Sequence, residues 1–147
     1  MTYPDTVVGT IVHDHFLPVQ LKVGDRLEVE DRYQAHWTPT ILILDEQGRE
    51  HHRSVGYLGP EEFAPMLLLG LGKYRCNRHE WDECEDALQR LLNEYPDSFY
   101  APEGWYWRGV LAYKGRGEHD GLSRYWRQTE QRFPNTEWAQ KASIVFV

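Results

Sequence analysis

Cysteine is scarce in this chain, and the little that is there forms no familiar reactive pair. Only Cys76 and Cys84 occur in 147 residues. Two cysteines do not make a disulfide framework, so a small stapled scaffold is excluded and a reducing cytoplasm is the expected setting. No Cys-x-x-Cys is present, and no Cys/His spacing matches a zinc site. Long apolar runs are missing too. The longest, Met66-Leu67-Leu68-Leu69-Gly70-Leu71, is far too short to span a bilayer. Positive charge is in deficit, with a net charge of −7. That balance argues against nucleic acid or an anionic membrane surface as partner, because both reward a basic face. Met1-Thr2-Tyr3-Pro4-Asp5 has neither a basic region nor a signal core. There is no Gly-rich phosphate loop and no Gly-x-Ser-x-Gly.

Apolar residues make up 41% and aromatics 14%, which excludes a disordered chain. The composition changes near residue 60, from short β-rich runs to long helical patterns, with no Pro/Ser-rich linker at the join. The two halves are therefore expected to pack directly.

In the first half, Val7, Val8, Ile11, Val12 and Phe16 follow a helical period. Leu17, Val19, Leu21 and Val23 follow a period of two, which predicts a strand over 17–23. Arg26 to Ala35 reads as a short amphipathic helix with an ill-defined start. Thr40 to Leu44 is apolar on both faces, the pattern of a buried strand. Asp45-Glu46-Gln47-Gly48 predicts a hairpin turn in which Gly48 takes a positive φ, and Glu50 to Val55 is its antiparallel partner. Pro60-Glu61-Glu62 is a good helix start.

Trp37-Thr38-Pro39-Thr40, running into that strand, is the most informative stretch. Proline cannot donate to a ladder, so it belongs at the first residue of a strand or at a bend. With the hairpin, Gly56 and the helix that follow, the residues from about 4 to 66 resemble a thioredoxin-like domain. The resemblance implies that Pro39 is a cis proline, that Thr38 offers its backbone to an extended peptide, and that Trp37 flanks the groove. It also shows a departure. The family places a central strand and a Cys-x-x-Cys helix start ahead of this point, and here only 36 residues precede Trp37. The unit is thus expected to be truncated at its N-terminus. Leu17–Val23 and Thr40–Leu44 must then pair directly or expose ladder groups. Three explanations account for the gap: an upstream start, a domain that lost its site and rearranged, or two copies that complete each other's sheets as a homodimer.

In the second half, Tyr95-Pro96-Asp97-Ser98 recurs as Phe133-Pro134-Asn135-Thr136 at an offset of 38 residues, and Ala101 and Ala139 keep it. Such a period signals stacked helical hairpins. Each proline ends one helix, and Ser98 and Thr136 are expected to cap the next. Leu68, Leu71, Gly72, Cys84, Leu88 and Leu91, with Trp105, Gly109, Leu122, Trp126 and Pro134, resemble the tetratricopeptide repeat over about residues 62–147. Arg108 departs from that pattern, and Lys114 to Gly121 reads as a longer loop than the family uses. Cys84 falls at a small, buried repeat position and is expected to be an inert core thiol.

Other constellations read as ordinary. His13-Asp14-His15 does not place two ligands on one helix face, and His51-His52 alternate across a strand, so no metal is expected. Trp105, Tyr106, Trp107, Tyr113, Tyr125, Trp126 and Trp138 are expected mainly as core, the other reading being a partner groove. Arg108 and Arg127 are candidates for stacking on those rings. Glu80, Asp82, Glu83, Glu85 and Asp86 read as a solvated face near a helix start.

The fold expected is α/β plus α: an incomplete thioredoxin-like sheet over 1–61, with a C-terminal array of tetratricopeptide-like helical hairpins over 62–147. The expected function is non-catalytic protein or peptide binding, with no cofactor and with Trp37, Thr38 and Pro39 as the binding edge. Partners are a protein, a peptide or a second copy, not nucleic acid or membrane. The alternative is a thiol–disulfide oxidoreductase whose Cys-x-x-Cys lies outside this chain. A third reading is a helical adaptor that the α/β part merely caps.

Overall fold

The computed structural model describes residues 5–146; Met1–Pro4 and Val147, which the sequence assigns to the ends of the two units, lie outside the described residues. Helix α1 (Thr6–His15) starts where Asp5 accepts bonds from the N–H groups of Val7 and Val8, both at 3.0 Å. Its apolar stripe sinks Val8 and Ile11 completely. The strand expected over 17–23 does not form. Leu17 is 90% exposed and Val19 75%. A strand needs a neighbour for its N–H and C=O groups, and no described segment lies beside this one to pair with it.

Helix α2 (Leu27–Tyr33) follows and ends on Gln34 in the left-handed region. Strands β1 (Thr40–Leu44) and β2 (Glu50–Val55) pair antiparallel, from Thr40 opposite Val55 to Leu44 opposite Glu50, and slip between Ile43 and Leu44. Gly48, at φ 74°, closes the turn. The expectation that β1 is buried on both faces is corrected. Only Ile43 is fully buried, because only one face of the pair is covered. Helix α3 provides the cover, and so closely that a Cβ on Gly70 would collide with Ile43 Cδ1.

Helix α3 (Pro60–Asn77) is the axis of the molecule. Every residue from Phe63 to Gly72 is buried. A helix apolar all round must be enclosed, and this one is, by α1 and the hairpin on one side and by helices α4 (Trp81–Glu94) and α5 (Ala101–Val110) on the other. Helix α5 continues through a π-helical turn, Leu111–Gly115. The longer loop expected from Lys114 is therefore helical at its start. Helices α6 (Gly121–Arg132) and α7 (Glu137–Ala142) and a 3-10 turn, Ser143–Phe146, complete the described chain.

The 38-residue offset is visible in the backbone. Tyr95 closes α4 at φ −134°, ψ 55°, and Phe133 closes α6 at φ −132°, ψ 52°. Ser98 N–H then donates to Tyr95 C=O at 3.2 Å, and Thr136 N–H to Phe133 C=O at 3.1 Å. Each hairpin also sets a glycine against a large side chain. A Cβ on Gly72 would meet Leu88 at 2.8 Å, and one on Gly109 would meet Trp126 at 2.6 Å. Capping breaks the symmetry. Thr136 Oγ1 accepts from Ala139 N–H at 3.2 Å, as expected. Ser98 does not cap α5, which starts on Tyr100 without a side-chain cap. Its hydroxyl donates to Glu62 at 2.7 Å and accepts from Tyr100 N–H at 3.0 Å, so it ties the turn to α3 instead.

A further correction concerns the cysteines. Cys76 and Cys84 form a disulfide, so Cys84 is not a free core thiol. The antiparallel α3–α4 hairpin brings their Cα atoms to 5.2 Å, within the reach of the bond. A spacing of eight residues hides this in the sequence, because only the hairpin makes the two positions neighbours.

Candidate functional site

The Thr38–Pro39 peptide bond is cis. The loop that carries it is held at both ends. Upstream, Tyr33 OH donates to Gly48 C=O at 2.9 Å, and Arg53 donates to Tyr33 C=O, so the end of α2 is fixed to the hairpin. Downstream, Gly56 N–H donates to Pro39 C=O at 2.8 Å, and Thr40 Oγ1 donates to Trp37 C=O at 2.5 Å. Between these anchors, Thr38 N–H and C=O have no partner among the described residues. Trp37, Thr38 and Pro39 are all exposed, Trp37 at 77%. The free edge of β1 runs on from them, since β2 is its one described neighbour. An extended chain laid there would find backbone groups to pair with and a large ring to cover. Neither cysteine lies on the elements that carry Pro39.

The hairpin turn is fixed by Asp45, which is 8% exposed. Burial pushes its carboxyl up, but bonds from Arg49 N–H, the Arg49 and His51 side chains and Gln47 N–H outweigh that and hold it well below the usual carboxylate range. His51 is thereby a structural link, its other nitrogen 3.0 Å from Asn77 Nδ2.

A buried polar cluster that the sequence does not reveal joins the hairpin to the helices. Lys73 Nζ on α3 donates to Glu103 Oε1 on α5 at 2.7 Å and lies 3.2 Å from His52 Nδ1 on β2. Trp107 Nε1 donates to the same Glu103 oxygen at 3.3 Å. Because Lys73 approaches Nδ1, the His52 proton sits on Nε2, which is buried without a hydrogen-bond partner. Burial, helped by the Lys73 charge, lowers the His52 pKa to about 4. Tyr100 stands edge-on to His52, with ring centres 5.8 Å apart, and its hydroxyl meets Ser54 Oγ at 3.2 Å. Burial pushes the Tyr100 hydroxyl above its ordinary pKa. A neutral imidazole sealed between a lysine and a ring joins β2 to α3 and α5. Glu103 hides in sequence because an acid in the first turn of a helix reads as solvated.

The aromatic region divides. Trp126 is buried and stacks on Tyr106 at 4.4 Å between ring centres, as core. Arg108 lies over the Tyr125 ring at 5.3 Å. Trp81, Tyr106, Trp107, Tyr113 and Trp126 also line a cleft of ≈ 450 Å³, whose wall includes Cys76 and Lys114. The acidic stretch is a solvated face as expected, with Asp82, Glu83 and Asp86 exposed, and it also carries ion pairs: Glu80 bonds Arg75 and Arg78, while Asp82 and Glu85 share Arg116. His13 sits on the exposed face of α1 with its ring nitrogen 2.9 Å from Asp14, and His15 is exposed beside it. Among the described residues no three metal-ligating side chains converge, and no helix is long and apolar enough to cross a membrane.

Residues 4–70 match the family model described as a thioredoxin-like domain, so this stretch of the chain is thioredoxin-like. No curated protein and no solved structure matches the chain.

Proposed function

We propose that this chain is a non-catalytic binding protein that holds an extended peptide or protein segment on its thioredoxin-like part, with helical hairpins of the tetratricopeptide type as the scaffold behind. The observation that carries the reading is the unpaired Thr38 backbone, flanked by exposed Trp37 and Pro39 and continued by the free β1 edge. The hairpin reading draws support from the equal backbone at Tyr95 and Phe133 and from the paired contacts of Gly72 with Leu88 and Gly109 with Trp126. The net charge of −7 favours a protein or peptide over nucleic acid. The cytoplasm expected from the sequence rested on cysteines that make no disulfide framework, and the Cys76–Cys84 bond removes that support.

The test starts from a displayed library of extended peptides selected on the whole chain. Selected peptides should lose affinity about tenfold or more with Trp37→Ala, the scale of a central aromatic anchor. N-methylation of the peptide at alternate residues should abolish binding at one set of positions and spare the other, as strand pairing requires. Selected peptides that tolerate every N-methyl group and bind Trp37→Ala unchanged would rule the edge out.

A further inference from the structure

Peptide binding at Thr38 leaves the aromatic cleft between the end of α3 and helices α5 and α6 without a role. Its volume of ≈ 450 Å³ falls within the roughly 300–1,000 Å³ of small-molecule sites. Its indoles are held in place. His79 stacks on Trp81 with ring centres 5.1 Å apart and planes 13° from parallel, and a Cβ on Gly115 would meet the same indole at 2.8 Å. Trp126 is seated in a similar way, against Gly109 and on the Tyr106 ring, and its Nε1–H donates to Tyr106 C=O at 2.9 Å. Trp107 is fixed by its bond to Glu103. Three large rings thus keep their orientation without a ligand, which lowers the ordering cost of binding one. Two backbone irregularities border the same opening. His79 has φ 62°, and the π-helical turn Leu111–Gly115 carries Tyr113 and Lys114. Departures of both kinds cluster at functional sites.

The charge lining the cleft has one sign. Lys114 is exposed and has no ion-pair or hydrogen-bond partner among the described residues, and no carboxylate is among the described residues that line the cleft. Acids at the neighbouring start of α4 are engaged elsewhere: Glu80 by Arg75 and Arg78, Asp82 and Glu85 by Arg116. The net charge of −7 acts from farther off and is screened over about 8 Å at physiological salt, whereas the ammonium acts at contact. Ring faces alone would suit a cation. An uncompensated ammonium reverses that preference and selects an anion.

We propose that this cleft binds a small aromatic carboxylate, its ring against Trp81, Trp107 and Trp126 and its carboxylate on the Lys114 ammonium. The inference goes beyond peptide binding at Thr38 and does not rest on it. Ring-on-ring contact supplies most of the affinity. Lys114, being exposed, sets the direction: the apolar end inside and the charged end at the mouth. A single ammonium, with no guanidinium fork in the lining, matches a singly charged group better than a phosphate.

The experiment titrates the whole chain with β-naphthoate and with neutral β-naphthamide, by calorimetry and by the indole N–H signals in NMR. The naphthoate should bind once per chain, move the Trp81 and Trp107 signals and leave that of Trp37 in place. It should bind about tenfold or more tightly than the amide, the scale of one charge-assisted contact. Lys114→Glu should erase that preference and Lys114→Arg should keep it, both with unchanged circular dichroism, since the side chain is exposed. Trp37→Ala should bind naphthoate as the unaltered chain does, which separates this site from the peptide edge. Equal affinity for acid and amide in the unaltered chain would overturn the proposal. So would a preference that survives Lys114→Glu, or signals of Trp81 and Trp107 that stay put at millimolar naphthoate.

Discussion

Leu88 and Val19 are both aliphatic residues inside regular apolar patterns, yet Leu88 is fully buried and Val19 is 75% exposed. The helical region and the segment before the hairpin use the same kind of pattern with opposite results. In the helical region the pattern has a partner within the chain. Each hairpin folds back on itself through a short turn, and glycines at 72 and 109 let the facing helix approach until Leu88 and Trp126 fill the space. In the N-terminal segment the pattern has the right period but nothing to lie against, because a strand is satisfied by a neighbour and not by itself. A helix closes its own hydrogen bonds, so α1 survives in the same region on two buried residues and an Asp5 cap.

The largest effect that sharpens this contrast is expected at Leu88. Leu88→Ala should destabilise the chain by about 2–5 kcal/mol, measured by urea unfolding, because Gly72 offers no side chain to fill the cavity. A cost below about 1 kcal/mol would mean the helical region is as loosely packed as the segment before the hairpin.

Next in size is the pH dependence of the join between the regions. His52 titrates at 6.5 when unfolded and at about 4 when folded. Its folded pKa is depressed, and the base is the form that folding favours. Above pH ~6.5 it therefore has no effect, and as pH falls from there towards 4 the unfolded state binds the proton first and stability drops. The full loss is about 3 kcal/mol, since each tenfold difference in proton affinity between the two states is worth about 1.36 kcal/mol. His52→Gln, which keeps an acceptor for Lys73, should flatten the stability curve across that window. An unchanged slope would show that another group carries it.

The smallest effect is expected where the apolar pattern is idle. Val19→Ser should change stability by less than about 0.5 kcal/mol, as for a surface site without special contacts. A loss near that of Leu88→Ala would show that the segment is covered in solution, and sedimentation of the same sample would tell whether a second copy covers it.

The residues made some features plain and concealed others for identifiable reasons. Helices α1, α2 and α3 and the β1–β2 hairpin with Gly48 at its turn could be read from period, Pro60 and the Asp-x-x-Gly signal, since each is decided by contacts close in sequence. The 38-residue echo around Pro96 and Pro134 announced two similar helix ends, but not that Ser98 would bond Glu62, because that acid lies on a distant helix. Trp37, Thr38 and Pro39 stood out through one proline before a strand. The exposure of Trp37 and the lack of any described partner for the Thr38 backbone depend on which segments pack nearby. The Lys73–Glu103–His52 cluster gave no signal at all, since its members come from three elements and each is commonplace alone.

Sequence alone determined the start of α3 at Pro60, the ends of α4 and α6 ahead of Pro96 and Pro134, the Thr136 cap of α7 and the hairpin turn, because those follow from backbone geometry over a few residues. Only the tertiary structure decided that Cys76 and Cys84 would bond, that His52 would be sealed away neutral, and that Leu17–Val23 would stay outside any sheet. The physical reason is that disulfides, buried charges and strand ladders all require a second group brought from elsewhere in the chain, and proximity of that kind is set by packing.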